Sequence, residues 1–158
     1  MQTFLPHKDF GKSARCLDNQ RLGKQRVEVL QILRALRGYT KGWRNHPAVK
    51  MWRGYEVALA WYGLVICEEW VRRGFRDTCA AKIRRFLPRP LRSPYHVSNA
   101  VVHYYLHRPG ARPPWLGSRK FHNSHRSNLL RKDPIYYSKF RWTVSDDLPY
   151  LWPEGAAA

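Results

Sequence analysis

The sequence predicts a mainly α-helical protein that folds as one compact domain over residues 1–158, with long, ordered, proline-containing loops. Three observations lead to this prediction. Apolar residues recur every three or four positions over several stretches, which is the period of a helix that buries one face. Hydrophobic residues make up 44% of the chain, enough for a core at this length. Six of the eleven prolines fall between residues 78 and 132, where they interrupt regular structure.

The first predicted helix begins near Ser13, a residue type suited to N-capping, and ends at Gly38. Arg26 stands on its apolar stripe, where a charge is costly unless it is paired. Arg26 therefore either reaches a carboxylate or the rim of the core, or it faces an anionic ligand. The stripe recurs at i, i+4, i+7, i+11 and i+14 and consists of Leu22, Arg26, Val29, Leu33 and Leu36.

The second predicted helix starts at Pro47, which suits a first helical position, and extends to Gly74. Its aromatic stripe favours the core of the protein over a surface on which bases stack. The most apolar part, Val57 to Cys67, is too short to span a membrane. The stripe consists of Trp52, Tyr55, Leu59, Tyr62, Ile66 and Trp70.

Shorter elements follow. Asp77 or Thr78 is expected to cap a third helix that ends near Phe86. Residues 97–106 suit a helix or a strand, and we favour the helix. A further helix is expected from Ser118 to Leu130, and the aromatic tail, residues 134–153, is expected to pack back over the core.

The charge of the chain points to a polyanionic partner. The formal net charge is +18, and residues 78–132 contain twelve Lys or Arg, five of the seven His and no carboxylate. A folded domain with this excess is best explained by nucleic acid, ahead of an anionic membrane surface. Basic residues in this region alternate with aromatic ones, a pattern that suits phosphate contact beside base stacking. The interleaved set is Trp115, Arg119, Lys120, Phe121, His122, Arg126, Arg131, Lys132, Tyr136 and Tyr137.

Several classes of chemistry lack support in the sequence. It contains no phosphate-binding loop, dinucleotide fingerprint or zinc-protease motif. His122 and His125 have no nearby Cys or carboxylate, so we expect no metal site. Three cysteines without a paired motif indicate reduced thiols that fill the core. Without a leader or an apolar span, the expected location is the cytoplasm, in association with the nucleoid.

Glu28 is notable because carboxylates are scarce. Lys24 and Arg21 flank it on the same helix face and favour its ionised form. Glu28 either forms a helical ion pair with Lys24 or is a carboxylate held near a DNA sugar, where it would stabilise positive charge at the anomeric carbon or move protons.

Three stretches resemble the pyrimidine dimer DNA glycosylases, the T4 endonuclease V-like family. Residues 22–28 resemble the family's first helix, residues 52–75 its long central helix with a basic pair, Gly and Phe, and residues 121–137 a later segment. Together they contain 48 residues and lie between residues 22 and 137. The strings LDNQRLGKQRVE, GWRNHPAVKMW and FHNSHRSNLLRKDP resemble a bacterial branch of that family.

The resemblance implies a compact, mostly helical domain and a bifunctional mechanism. The N-terminal α-amine attacks C1′ of the damaged nucleotide, an imine forms, and β-elimination cuts the strand with help from a Glu on the first helix. An α-amine needs less activation than a Lys amine. No metal or organic cofactor is required, and the expected partner is damaged double-stranded DNA bound by a monomer.

Carried over by residue, the resemblance makes Met1 the source of the amine, because Gln2 is too large for the usual removal of the initiator Met. Glu28 is the candidate catalytic carboxylate. The family places its Glu directly after the Arg matched by Arg26, whereas this chain has Val27 there, about 100° around the helix from Glu28. The expected nucleic-acid-binding residues are Arg21, Lys24, Arg26, His46, His122, His125, Arg126, Arg131 and Lys132.

Two other hypotheses remain open on the sequence alone. The same scaffold would suit another modified base, a nucleoside or an RNA lesion, and a non-enzymatic nucleic-acid-binding protein would share its composition.

Overall fold

The computed structural model describes residues 1–93 and 98–155, which form eight α-helices, one 3₁₀ turn and no β-strand. The prediction of a mainly α-helical fold is therefore confirmed. Within these residues, no helix combines the length and apolar character needed to cross a bilayer. The elements are α1 (Phe10–Cys16), α2 (Asn19–Leu36), α3 (Pro47–Trp52), α4 (Glu56–Arg72), α5 (Ala80–Arg84), the 3₁₀ turn (Arg89–Leu91), α6 (Asn99–His107), α7 (Arg119–Lys132) and α8 (Pro134–Ser138).

The core is built on the packing of α2 against α4, with α1 and α5 also resting on α4. Gly63 lets the two long helices approach each other. A Cβ atom at this position would lie 2.5 Å from Cγ1 of Val29 and 3.1 Å from Cδ1 of Ile83. The closely packed pair of α2 and α4 is therefore the centre of the core, and other helices pack against it.

The first predicted helix was wrong at its start, because the chain forms two helices there. Leu17 and Asp18 are extended, and the Asp18 side chain accepts a hydrogen bond from the N–H of Arg21, which makes Asp18 the N-cap of α2. Ser13 lies inside α1, where its hydroxyl donates to the carbonyl oxygen of His7. The C-terminal end at Gly38 is confirmed, since Gly38 adopts φ +77° just after α2.

The second predicted helix is interrupted. Pro47 is the first residue of α3, as predicted, and His46 is its N-cap through a hydrogen bond from the N–H of Ala48. The helix stops at Trp52, and Gly54 adopts φ +82° before α4 begins. A periodic apolar stripe continues across this break, so the pattern alone predicted one helix. Trp52 and Tyr62 of the stripe are fully buried, which confirms their place in the core.

The later elements follow the predictions closely. Asp77 accepts hydrogen bonds from the N–H groups of Cys79 and Ala80, and α5 ends two residues before Phe86. α6 confirms the helix over residues 99–106, although residue 97 lies outside the described residues. α7 begins after its N-cap Ser118 and ends two residues beyond the predicted end at Leu130.

The side chains of Cys16, Cys67 and Cys79 are free and buried, as predicted for core thiols. Burial raises the pKa of Cys67 well above its usual range. A thiol that stays protonated is a poor nucleophile. Cys67 therefore fills space in the core.

The close approach at Gly63 gives a first prediction. Replacing Gly63 with Ala forces a methyl group against Val29, and we expect the free energy of unfolding to fall by about 1–3 kcal/mol. The matched control is Gly42→Ala, because a Cβ atom at Gly42 meets no atom within 4 Å, and we expect a change below about 1 kcal/mol. Urea unfolding of both variants measures the effect. Equal stability of the two variants would contradict the tight packing.

Candidate active site

The first seven residues form an irregular segment that passes through the core. Thr3 and Leu5 are completely buried, and Phe4 is nearly so. An irregular segment cannot satisfy its own backbone N–H and carbonyl groups, and leaving them unpaired inside a protein is costly. The segment is stable only if surrounding elements supply hydrogen-bond partners.

Helices α2 and α4 supply the first partners. Oε1 of Gln25 accepts a hydrogen bond from the N–H of Phe4 at 2.9 Å, and Nε2 of Gln25 donates to the carbonyl oxygen of Gln2 at 2.7 Å. The hydroxyl of Tyr62 donates to the carbonyl oxygen of Phe4 at 2.8 Å. The Gln25 side chain thus pairs with the segment as a neighbouring strand would.

Helix α7 holds the segment from the other side. Nδ1 of His125 accepts from the N–H of Leu5 at 2.9 Å, while Nδ1 of His122 donates to the carbonyl oxygen of Leu5 at 2.7 Å. Nε2 of His122 accepts from the N–H of Gly117. Nε of Arg126 donates to the carbonyl oxygen of Pro6 at 2.8 Å. One helix turn therefore fixes the backbone of two consecutive buried residues.

Both histidines are neutral in this arrangement. Burial lowers the pKa of His125 well below its ordinary value, and the nearby His122 lowers it further. Burial also lowers the pKa of His122, although its hydrogen bond to Leu5 acts in the opposite direction. His125 accepts at Nδ1, so its ring proton sits on Nε2, which has no partner among the described residues.

The C-terminal tail completes the enclosure of the segment. The hydroxyl of Tyr150 donates to the carbonyl oxygen of Thr3 at 2.6 Å, and its ring lies 4.4 Å from that of His125. Nη1 of Arg131 donates to the carbonyl oxygens of Asp146 and Leu148, which ties the tail to α7. The prediction that the tail packs back over the core is confirmed.

The carboxylate of Glu28 lies where this segment starts. Oε2 of Glu28 accepts a hydrogen bond from the N–H of Gln2 at 3.2 Å and another from Nε2 of Gln25 at 3.0 Å. Oε1 lies 3.6 Å from Nζ of Lys24. The ion pair with Lys24 therefore exists, and the same carboxylate also contacts the N-terminal segment. The amino group of Met1 is one residue away from this contact.

A small cavity of about 160 Å³ opens beside Glu28. Its cationic lining residues are Lys24, which is 72% exposed, Arg21 and Lys132. Nζ of Lys132 lies 5.9 Å from the centre of the Phe4 ring. A larger cavity of about 680 Å³ lies between α1 and α4, and its lining includes none of the predicted site residues.

His46 also lies near the start of the chain. Burial lowers its pKa, the positive N-terminus lowers it further, and Glu28 opposes both effects. Its ring packs edge-on against Trp43 and Trp152. Because Nδ1 of His46 caps α3, its free nitrogen is Nε2. The N-terminus, Glu28 and His46 thus form one electrostatic cluster.

A comparison with known families identifies the chain. A family model described as pyrimidine dimer DNA glycosylase matches residues 1–83, more than half of the sequence. The chain belongs to the pyrimidine dimer DNA glycosylase family. At the level of the family, the protein is therefore a DNA repair glycosylase, an enzyme whose substrate is DNA. Searches of curated proteins and of solved structures returned no match.

The matched residues contain the N-terminal segment, Glu28 and the whole of α2, α3 and α4. Helix α7 and the tail lie outside the match. In this glycosylase, the elements that carry the catalytic candidates are thus those that the family model covers, while the elements beyond it contribute hydrogen bonds that hold the segment.

The predicted role of Arg26 in contacting phosphate or the flipped nucleotide does not fit the structure. Its guanidinium forms a short ion pair with Asp77 at 2.5 Å and lies 4.3 Å from the centre of the Trp70 ring. Burial raises the pKa of Asp77, but hydrogen bonds from Ala80 and Arg26 outweigh it and hold that pKa below its usual range. The alternative in which Arg26 pairs with a carboxylate is therefore the correct one.

Four other residues predicted to bind nucleic acid either lie away from the cavity or already form hydrogen bonds within the protein. His125 is fully buried and His122 nearly so, which does not fit the predicted contact with DNA. Arg126 and Arg131 donate to backbone carbonyls of the N-terminal segment and the tail. Burial removes the two histidines from the surface, whereas Arg126 is partly buried and Arg131 is exposed, and hydrogen bonds to backbone carbonyls occupy both guanidinium groups.

The aromatic residues of the basic region also differ from the prediction, because they are buried and do not form a surface for base stacking. Trp115 and Phe121 are buried in the core, with their ring centres 4.6 Å apart. Interleaved basic and aromatic residues predicted base stacking there, yet the aromatic side chains of α7 and the preceding loop face inward. Among the cationic candidates, Arg21, Lys24 and Lys132 are brought to the cavity.

The sequence analysis missed Gln25, Tyr62 and Tyr150 as site residues. Gln25 is 1% exposed, and it lies between Leu22 and Val29 on the buried side of α2. A polar residue on an apolar stripe was the available signal. Tyr150 gave no such signal, because its partner Thr3 is 147 positions away.

The neutral histidines give a second prediction. Since the folded-state pKa of His125 is lowered, the unfolded chain binds more protons below about pH 6.5, so stability is complete above that pH and falls as the pH decreases. In His125→Asn the amide oxygen replaces Nδ1 as acceptor for Leu5. We expect the slope of unfolding free energy between pH 7 and 5 to become shallower by up to about 1.4 kcal/mol per pH unit.

The control for this measurement is His103→Asn, at an exposed position on α6. It should leave the slope unchanged, because this side chain is already exposed to solvent in the folded protein. An unchanged slope in His125→Asn would contradict the assignment of His125 as a buried neutral acceptor.

Proposed function

We propose that this DNA glycosylase also has abasic-site lyase activity and acts on damaged pyrimidines in duplex DNA through the α-amine of Met1. The observation that carries the proposal is the contact of Glu28 with the N–H of Gln2, one residue from the amine. The backbone that leads to the amine is held by Gln25 and Tyr62, which supports a fixed position for the nucleophile.

The reaction would proceed as follows. The neutral amine forms a bond to C1′ as the bond from C1′ to the base breaks, and the base leaves with the electron pair. Glu28 accepts a proton from the amine and returns one to the sugar ring oxygen as the ring opens to the imine. Loss of a proton from C2′ expels the 3′ phosphate, and water hydrolyses the imine to release the enzyme.

The charges around the cavity support a DNA substrate. Lys24 and Lys132 line the cavity and are exposed, so phosphates can reach them. The guanidinium of Arg21 is held by Asp18 at 2.8 Å and by the carbonyl oxygen of Lys132 at 3.1 Å. It is therefore a fixed positive group at the rim.

Borohydride trapping tests the imine. Mass spectrometry first verifies that Met1 is the first residue of the protein. The protein is then mixed with duplexes that carry a cyclobutane pyrimidine dimer or an abasic site, and borohydride is added to reduce the imine. We expect a covalent adduct at Met1, and its loss when a Gly-Ser extension precedes Met1, with duplex binding retained. An adduct on the abasic duplex alone would support the lyase and reject the dimer as substrate. Binding without any adduct would reject the mechanism.

The role of Glu28 has a matched pair of variants. Glu28→Gln keeps the size of the side chain and removes the proton acceptor, so we expect single-turnover cleavage to fall by about 10²-fold or more. Val27→Gln places an amide at the adjacent, 44% exposed position and should leave the rate within about threefold. Loss of activity in Val27→Gln, with activity kept in Glu28→Gln, would contradict the proposed role.

The DNA contacts are tested by salt dependence. Removing one phosphate contact, with Lys24→Ala or Lys132→Ala, should make the slope of log K against log salt shallower by about 0.9. Lys120→Ala is the control, because Lys120 is exposed on α7 about 18 Å from Lys132 along the helix. Equal changes in all three variants would indicate a non-specific loss of charge.

A further inference from the structure

A second basic groove lies on the other side of α2, between that helix and α5. Its volume is about 520 Å³. Five of its eight lining residues are cationic and none is a carboxylate. The lining cations are Arg34, Arg37, Lys82, Arg85 and Arg92.

Most of these cations are available to a ligand. Arg34, Arg37, Lys82 and Arg85 are exposed, and within residues 1–93 and 98–155 none of their side chains forms an ion pair or a hydrogen bond that would occupy it. Arg26, in contrast, is neutralised by Asp77. Like charges held together without counter-charges repel one another, and a bound polyanion would relieve this repulsion.

The groove also presents an aromatic face. Tyr39 is 70% exposed, and its ring centre lies 6.2 Å from that of Phe86. The end of α2 fixes Tyr39, because the N–H of Tyr39 donates to the carbonyl oxygen of Arg34 and the N–H of Gly38 to that of Ala35. This pair of bonds is the Schellman motif of helix C-termini. The exposed ring is thus held in place by the backbone.

The groove is separate from the cavity beside Glu28. Leu30 lines the groove, and two residues correspond to about 200° around a helix, so Leu30 and Glu28 lie at opposite edges of the exposed face of α2. Between them, Lys24, Val27 and Gln31 face solvent. The residues that line the groove include none of those that line the cavity.

We propose that this groove is a second nucleic-acid site, which binds an unpaired, single-stranded segment with its phosphates on Arg34, Arg37 and Arg85 and a base stacked on Tyr39. The site is independent of the lyase mechanism. Guanidinium groups match phosphate oxygens in pairs, and a solvent-exposed aromatic ring gives a base a partner. A duplex covers the faces of its bases by stacking, so only an unpaired base can use Tyr39. An acidic peptide would use the cations but not the ring.

The experiment measures binding of a fluorescent twelve-residue oligothymidylate by anisotropy. We expect Arg34→Glu/Arg85→Glu to weaken binding at least tenfold. The matched control Arg119→Glu/Lys120→Glu changes net charge equally at the exposed start of α7 and should weaken binding less than twofold. Tyr39→Ala should weaken it about tenfold, whereas Tyr39→Phe, which keeps the ring, should not. Circular dichroism and urea unfolding check that each variant is folded.

Specific outcomes would overturn the proposal. These are equal losses in the groove and control double variants, no effect of Tyr39→Ala, or displacement of the oligonucleotide by polyglutamate as effectively as by unlabelled oligothymidylate. The last result would indicate an acidic peptide site. Should the double variant fail to fold, the comparison of Tyr39→Ala with Tyr39→Phe still tests whether the groove binds single-stranded nucleic acid. Borohydride trapping on an abasic duplex is run beside it, and we expect the groove variants to retain the adduct, so that failure of the groove and failure of the lyase are distinguishable.

Discussion

The structure depends on the hydrogen bonds that satisfy a buried, irregular N-terminal segment. Residues 3–6 cross the core without belonging to a helix, and side chains supply the partners that a helix or sheet would otherwise give. Gln25, Tyr62, His122, His125 and Tyr150 do this from four different parts of the chain, namely α2, α4, α7 and the C-terminal tail. Each is a buried polar group whose cost is offset only when the segment is in place, so segment and scaffold stabilise each other.

This constraint connects folding to function. The segment ends at the N-terminus, and the same α2 that carries Gln25 also carries Glu28 one turn further along. Fixing the backbone through Gln25 therefore also sets the separation between Glu28 and the first residues. In the proposed mechanism, a rigid scaffold that holds the N-terminal amine lowers the entropy that must be lost when a substrate is bound. The two histidines of α7 hold the same segment from its other side, as neutral groups that hydrogen-bond to the backbone of Leu5.

The positive charge of the protein is divided between structural and exposed roles. Arg26, Arg73, Arg126 and Arg131 are engaged with carboxylates or backbone carbonyls and hold elements together. Lys24 and Lys132 beside Glu28, and most cations of the groove between α2 and α5, are exposed and accessible to phosphates. A net charge of +18 thus overstates the number of cations available to DNA, because part of it stabilises the fold.

The sequence by itself determined the helical class, the helix end at Gly38, the start of α3 at Pro47, the cap at Ser118, the core aromatics, the polyanionic partner and the family. These depend on local period, on backbone preferences and on composition, which are encoded within a few residues of each other. The sequence did not predict the helix breaks before α2 and after Trp52, because an apolar stripe continues through both of them. Only the tertiary structure decided that Arg26 pairs with Asp77, 51 positions away, and that His125 receives the N–H of Leu5, 120 positions away. A side chain's partner across such separations is set by how the helices pack, and no local pattern in the chain records it.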